Sequence, residues 1–213
     1  SASKLNVAPN MMGINAAFQG VQVDPAHPAL SSDDNGYLYN KEKTRLIVAN
    51  STAQKAVLPD TLEQIGYYAF VDNDHIQELA MPDRLTHIGS YAFYGADHLV
   101  KLDFGKGLQE IGEKAFYCNY HTSYDTETRV IESLVFPDSL VRIGASAFEG
   151  AVWKTTSMQF GSGLQTIGER GFYNCQDVSA VLPSSMQSIG NYAFYNCRSA
   201  KTIDVGGTKT IGN

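Results

Sequence analysis

A few side chains in this sequence have types and spacings that could do chemistry. Asp74-His75 and Asp97-His98 recur 23 residues apart, and two imidazoles with two carboxylates brought together would form a nitrogen–oxygen donor set for a transition metal. Cys118 and His121 have the makings of a thiol–imidazole pair, with the thiolate as nucleophile. Cys175 and Cys197 lie 22 residues apart and could close a disulfide or stand as two parallel thiols. Asp33-Asp34-Asn35-Gly36 opens like a calcium loop but lacks the later ligand positions. Tyr120, His121, Tyr124 and Trp153 are residue types that contact proteins or sugars from loop edges.

What these residues can do depends on the elements that hold them. Those elements come from one phrase, Leu85-Thr86-His87-Ile88-Gly89-Ser90-Tyr91-Ala92-Phe93, which reads L-x-x-I-G-x-x-A-F. It returns at 62–70, 108–116, 140–148, 164–172 (with Gly171 for Ala) and 186–194, and a broken copy ends at Asn213. Its isoleucines, at 65, 88, 111, 143, 167, 189 and 211, are spaced by 23, 23, 32, 24, 22 and 22 residues. So constant a period is the mark of a solenoid. One such unit cannot bury enough apolar surface to offset the entropy of ordering its own backbone, so the units must stack and share a core.

Each unit carries an alternating run, Val100-Lys101-Leu102-Asp103-Phe104 in one and 78–81, 133–136, 157–160, 179–182 and 202–205 in others. Alternation predicts a half-buried strand, and Pro or Gly follows where it should stop. The phenylalanines at 70, 93, 116, 148, 172 and 194 are expected to form an internal ladder. The glycines at 66, 89, 112, 144, 168, 190 and 212 are expected to hold a positive φ or a tight bend. A unit this short fits one strand and one return strand better than a full helix.

On this frame the candidates acquire places. The two Asp-His pairs become loop neighbours in stacked coils, solvated by default. Cys175 and Cys197 occupy one slot in successive units, and Cys118 a slot expected to be buried. The insertion 120–129 explains the spacing of 32; it and Trp153 leave adjacent units on one edge, so that Tyr120, His121, Tyr124 and Trp153 could share a contact patch. The outward strand positions, Lys101, Asp103 and Gln159 among them, are small, seldom charged and never aromatic, a surface poor in hot-spot residue types. Tyr94, Tyr117, Tyr173 and Tyr195 each follow a ladder phenylalanine and are expected to seal the core edge. Residues 1–20 read as a worn repeat and Val21-Gln22-Val23-Asp24 as its following strand. Pro25 and Pro28 then bracket a loop, and Tyr37-Leu38-Tyr39 and Arg45-Leu46-Ile47-Val48 read as a β-hairpin.

The phrase L-P-x-x-L-x-x-I-G-x-x-A-F-x-x-C resembles the BspA-type leucine-rich repeat of bacterial surface proteins. Ser184-Ser185-Met186-Gln187-Ser188-Ile189-Gly190-Asn191-Tyr192-Ala193-Phe194-Tyr195-Asn196-Cys197 matches it almost throughout, and the likeness covers about residues 58–213. Residues 23–47 are similar to an insertion of the same proteins, V-D-x-x-N-P leading to D-G-V-L-Y-x-K-x-K-T-x-L-I. They depart from it at Ala26-His27-Pro28. The resemblance implies a β-rich solenoid, a right-handed leucine-rich-repeat array with short strands and little helix, plus an N-terminal β-hairpin insertion. Residues 1–57 would be the degenerate repeat and hairpin, and 58–213 six units and a partial seventh of one continuous domain. The resemblance further implies an exported or surface-attached bacterial protein that adheres to host matrix or cell-surface proteins.

Composition narrows the rest. The net charge is −6 with basic residues scattered, which disfavours nucleic acid and anionic membranes. No apolar run approaches the roughly 18 residues of a membrane span. The broken terminal repeat and the lack of a signal peptide suit a segment of a longer protein. There is no nucleophile elbow, H-E-x-x-H, P-loop or dinucleotide fingerprint, so no enzyme, metal or cofactor is expected. The expectation is a monomeric module that binds a protein ligand. The alternatives are a spacer without a ligand and, more weakly, carbohydrate capture through Trp153 and its neighbours.

Overall fold

The computed structural model describes residues 20–49, 51–118, 134–151, 158–175, 180–197 and 203–213. Three strands come first: β1 (Leu30–Ser32), β2 (Leu38–Asn40) and β3 (Arg45–Val48). Two kinds of short strand then alternate along the chain: β4 (Lys55–Val57), β5 (Gln64–Ile65), β6 (Glu78–Ala80), β7 (His87–Ile88), β8 (Lys101–Asp103), β9 (Glu110–Ile111), β10 (Leu134–Val135), β11 (Arg142–Ile143), β12 (Met158–Gln159), β13 (Thr166–Ile167), β14 (Ala180–Val181), β15 (Ser188–Ile189), β16 (Ile203–Asp204) and β17 (Thr210–Ile211). Among the described residues there is no helix. The chain is a β-solenoid, and each coil contributes one strand to each of two parallel ladders.

The first ladder comprises β4-β6-β8 and β10-β12-β14-β16; the second runs β3-β5-β7-β9-β11-β13-β15-β17. Register is set by the isoleucine of each phrase. Leu46 pairs with Ile65, Ile65 with Ile88, Ile88 with Ile111, and so on to Ile211. A slip of one residue would turn this whole apolar column to solvent. The A-F turn forms a third ladder: Phe93 N donates to Ala115 O at 2.7 Å, Phe116 N to Ala147 O at 2.7 Å and Phe172 N to Ala193 O at 2.8 Å.

Between the ladders lies the core. Phe70, Phe93, Phe116, Phe148, Phe172 and Phe194 stack face to face, with centroids 4.7 to 5.4 Å apart. A second stack, Phe104–Phe136–Phe160 at 5.1 and 5.0 Å, meets the first edge-on. Both geometries suit the quadrupole of the rings. Tyr37 closes the N-terminal end, its ring edge-on to Phe70 at 5.8 Å.

The glycines do a different job from the one expected. None of Gly66, Gly89, Gly112, Gly144, Gly168, Gly190 or Gly212 has a positive φ. A Cβ at Gly112 would instead lie 2.5 Å from Ser90 N of the preceding coil. The glycines allow coil backbones to touch. The left-handed residue comes two positions later, at Tyr68, Tyr91, Lys114, Ser146, Arg170 and Tyr192.

The hairpin is as read from the sequence: β2 and β3 pair antiparallel. Its shape before that point differs. β1 adds a strand to β2 directly after the loop that the prolines bracket. Val21-Gln22-Val23-Asp24 is not a strand; Val21 N donates to Gly36 O at 2.8 Å. Alternation in the sequence did not pick out β4, which extends the first ladder by one rung. The worn repeat at 1–19 lies outside the described residues.

Candidate functional site

Alternation within the strands of the first ladder divides each between core and solvent. In β8, Leu102 points inward while Lys101 and Asp103 are exposed. Register then stacks these outward positions into columns. Lys55, Glu78 and Lys101 form one, with Lys55 Nζ 3.7 Å from Glu78 Oε2. Val57, Ala80 and Asp103 form the next, and Val135, Gln159, Val181 and Asp204 form a column across β10 to β16. Lys101 and Asp103 on β8 and Gln159 on β12 therefore point outward, as the alternation predicted. The face is less plain than expected, because Val57, Val135 and Val181 are 66%, 53% and 70% exposed.

The other surface lies along the A-F turns. Tyr94 stacks on Tyr117 at 5.0 Å, and Tyr173 on Tyr195 at 5.4 Å. The row is interrupted by Glu149, which is buried and pairs with Arg170 at 3.7 Å. Sequence reasoning missed the tyrosines beside this row. Tyr68 stacks on Tyr91 at 4.9 Å, with Tyr67 tilted against both. Lys114 Nζ stands 5.5 Å from the Tyr91 ring centroid and 5.9 Å from that of Tyr117, and Arg170 lies over Tyr173 at 4.2 Å, within cation–π range. The signal was present in the sequence as Y-A-F at 68–70, 91–93 and 192–194. Desolvation and neighbouring phenols raise the Tyr68 pKa, and desolvation and Glu149 raise that of Tyr117, so both stay protonated donors at neutral pH.

The remaining candidates have structural partners. Asp33 Oδ1 accepts from Asn35 N and Tyr37 N at 3.0 and 2.9 Å, and Oδ2 accepts from the Tyr39 hydroxyl at 2.9 Å. That carboxylate holds the turn before the hairpin. His98 Nδ1 meets Asp74 O at 2.5 Å, so the two Asp-His pairs are indeed stacked neighbours. Among the described residues, no group of three or more His, Cys, Asp or Glu is placed to hold a metal ion. The cysteines are not joined in disulfides. Cys175 Sγ donates to Phe148 O at 2.9 Å and Cys197 Sγ to Phe172 O at 3.2 Å, and burial pushes the Cys197 thiol up to about 11. Tyr120, His121, Tyr124 and Trp153 lie outside the described residues. No helix among the described residues is long and apolar enough to cross a membrane.

Two parallel ladders, an isoleucine column and a shared ring stack define the class: a leucine-rich-repeat solenoid. Six copies of the BspA type leucine rich repeat region match residues 47–130 and 126–213, and the chain belongs to that family. No curated protein matches it. Among solved structures it is similar to the pneumococcal vaccine antigen PcpA (TM-score 0.60, 19% identity, covering 92% of this chain and 50% of that one). It is also similar to a leucine rich cell surface protein from Faecalibacterium prausnitzii A2-165 (0.61, 17%, 87% and 56%) and to the T. pallidum leucine rich repeat protein TpLRR (0.60, 18%, 86% and 82%). At these identities the likeness is one of fold. The chain spans about half the length of the first two.

Proposed function

We propose that this chain is a non-catalytic binding module, exported to a bacterial cell surface, where it holds a protein ligand and serves adhesion. The observation that supports this most is the outward face of the first ladder. Two runs of rungs, β4-β6-β8 and β10-β12-β14-β16, each present outward side chains in register, and Val57, Val135 and Val181 leave apolar surface on them without any core role. Lys101, Asp103 and Gln159 supply polar contacts on them, and Tyr120, His121, Tyr124 and Trp153 are the aromatic and imidazole side chains that the sequence adds to the proposed contact. Family membership supports the scaffold role, and a cell-surface name among the structural neighbours supports the location. The partner class is a host matrix or cell-surface protein, bound by a monomer.

The test is surface plasmon resonance of the wild type and of a Val135→Lys/Val181→Lys variant against a panel of immobilised host matrix proteins. Each buried valine is worth about 1.5 kcal/mol or more, so the double variant should lose at least about tenfold in affinity. Equal binding by both proteins would remove the face from the proposal. Absence of binding to every member of the panel would favour a spacer, a reading supported by the small side chain at Ala80.

A further inference from the structure

Each of six coils has a left-handed residue two positions after its repeat glycine, five of them have a second, and the chain fills the two places in opposite ways. The second, just after the ladder phenylalanine, is Asp72, Gly95, Gly150, Asn174 or Asn196. Those are the types that tolerate this conformation. The first is Tyr68, Tyr91, Lys114, Ser146, Arg170 or Tyr192, where a large side chain costs backbone strain. Sealing the core does not require it. In the coil carrying Ser146 and Glu149 at the tyrosine positions, Phe148 is 0% exposed, against 2% for Phe93 and 5% for Phe116 beneath the tyrosines.

We propose that Tyr67, Tyr68, Tyr91, Tyr94, Tyr117 and Lys114 form a binding site for a proline-rich segment in the polyproline II conformation. This rests on the reading of the chain as a protein-binding module and names a ligand class on a different face. The first argument is complementarity. Polyproline presents backbone carbonyls and no N–H, and those carbonyls make no internal hydrogen bonds. The site offers donors: among the described residues, the hydroxyls of Tyr67, Tyr68, Tyr94 and Tyr117 make no hydrogen bond, whereas that of Tyr91 reaches Glu113 Oε1 at 3.3 Å. The second argument is pitch. Stacked tyrosines advance 4.9 to 5.0 Å per coil. Two coils therefore advance about 10 Å, against about 9 Å for a three-residue polyproline II turn. Ridges of rings at that interval leave slots for the pyrrolidine rings, as aromatic-lined grooves do elsewhere. Tyr67, 49% exposed, stands at the outer end of the row.

The test is isothermal titration of the protein with a twenty-residue oligoproline, a Gly-Ser peptide of equal length and a neutral dextran. Oligoproline should bind and the other two should not. Tyr94→Phe/Tyr117→Phe, which keeps the stack and removes two donors, should weaken binding by at least about fivefold. Tyr67→Ala, at an exposed position, should weaken it further with an unchanged circular dichroism spectrum. No heat with oligoproline, equal binding of the Gly-Ser peptide, preferential binding of dextran, or full affinity in the Phe variant overturns the inference. Loss of matrix binding in the Val135/Val181 variant is measured separately, so the strand-face proposal can stand while this one falls.

Discussion

Gly112→Ala tests whether the coils are set by backbone contact. The new Cβ would sit 2.5 Å from Ser90 N, 2.8 Å from Gly89 C and 2.9 Å from Ser90 Cα. All three are main-chain atoms of the preceding coil, and none can swing away. Relief to ordinary contact needs the coils to part by roughly 0.5–1 Å, where overpacking of this kind costs about 1–3 kcal/mol. Parting also stretches Gly112 N to Ile88 O, now 2.9 Å, and Tyr91 N to Glu113 O, now 2.8 Å. Each of these is worth about 1 kcal/mol. The expected loss is about 2–4 kcal/mol, read by urea denaturation followed by far-ultraviolet circular dichroism. Gly207→Ala is the control, since a Cβ there meets nothing within 4 Å and its φ is not positive. It should be neutral or stabilising by up to about 1 kcal/mol, through the unfolded state. Equal midpoints for the two variants would refute the close-contact account of the repeat glycine.

Two further outcomes follow from the core and the hairpin. Phe148→Ala removes a ring that is 0% exposed and stacked at 5.0 and 5.2 Å on both sides; it should cost about 3–5 kcal/mol, seen as a lowered Tm by calorimetry. Burial and the Asp33 charge raise the Tyr37 phenol from 10.0 to about 12 and raise Tyr39 further. The unfolded chain therefore gives up these protons first, so their stabilising contribution is whole below pH 10 and is lost as pH rises from there through about 12. Tyrosinate absorbance during alkaline titration should show two phenols ionising only with unfolding, and Tyr39→Phe should remove one of them.

The ladder was legible in the sequence because its determinants are local and repeated. Ile88 and Ile111 occupy the same slot in each phrase, and a parallel register puts equal slots side by side. Alternation in Val100-Lys101-Leu102-Asp103-Phe104 likewise told which of Lys101 and Leu102 would meet solvent. Other features depend on contacts that no local pattern contains. Gly112 signals a special backbone to any reader, but only the neighbouring coil shows that the constraint is a steric approach and not a dihedral. The left-handed conformation falls on Tyr91 and Lys114, types whose propensity argues against it, because the ladder bonds on either side fix the turn. The Tyr68–Tyr91 stack is written as a recurrent Y-A-F, but the tyrosine is outward and only the parallel register of neighbouring coils brings the two rings together. β1 arises just past the loop of Pro25 and Pro28, between it and the hairpin, because β2 offers it an open edge.

The ladder hydrogen bonds point along the solenoid axis, and that direction governs how the chain answers a pull. A load applied between its two ends does not shear many bonds at once. It opens the bonds of the outermost coil, one rung after another, before the next coil feels the force. Each detached coil frees 22 to 24 residues in the regular part of the array, which at about 3.4 Å per residue is a lengthening of roughly 75–80 Å. Such a chain would yield to tension in equal steps and pay out slack, acting as a shock absorber between whatever it joins.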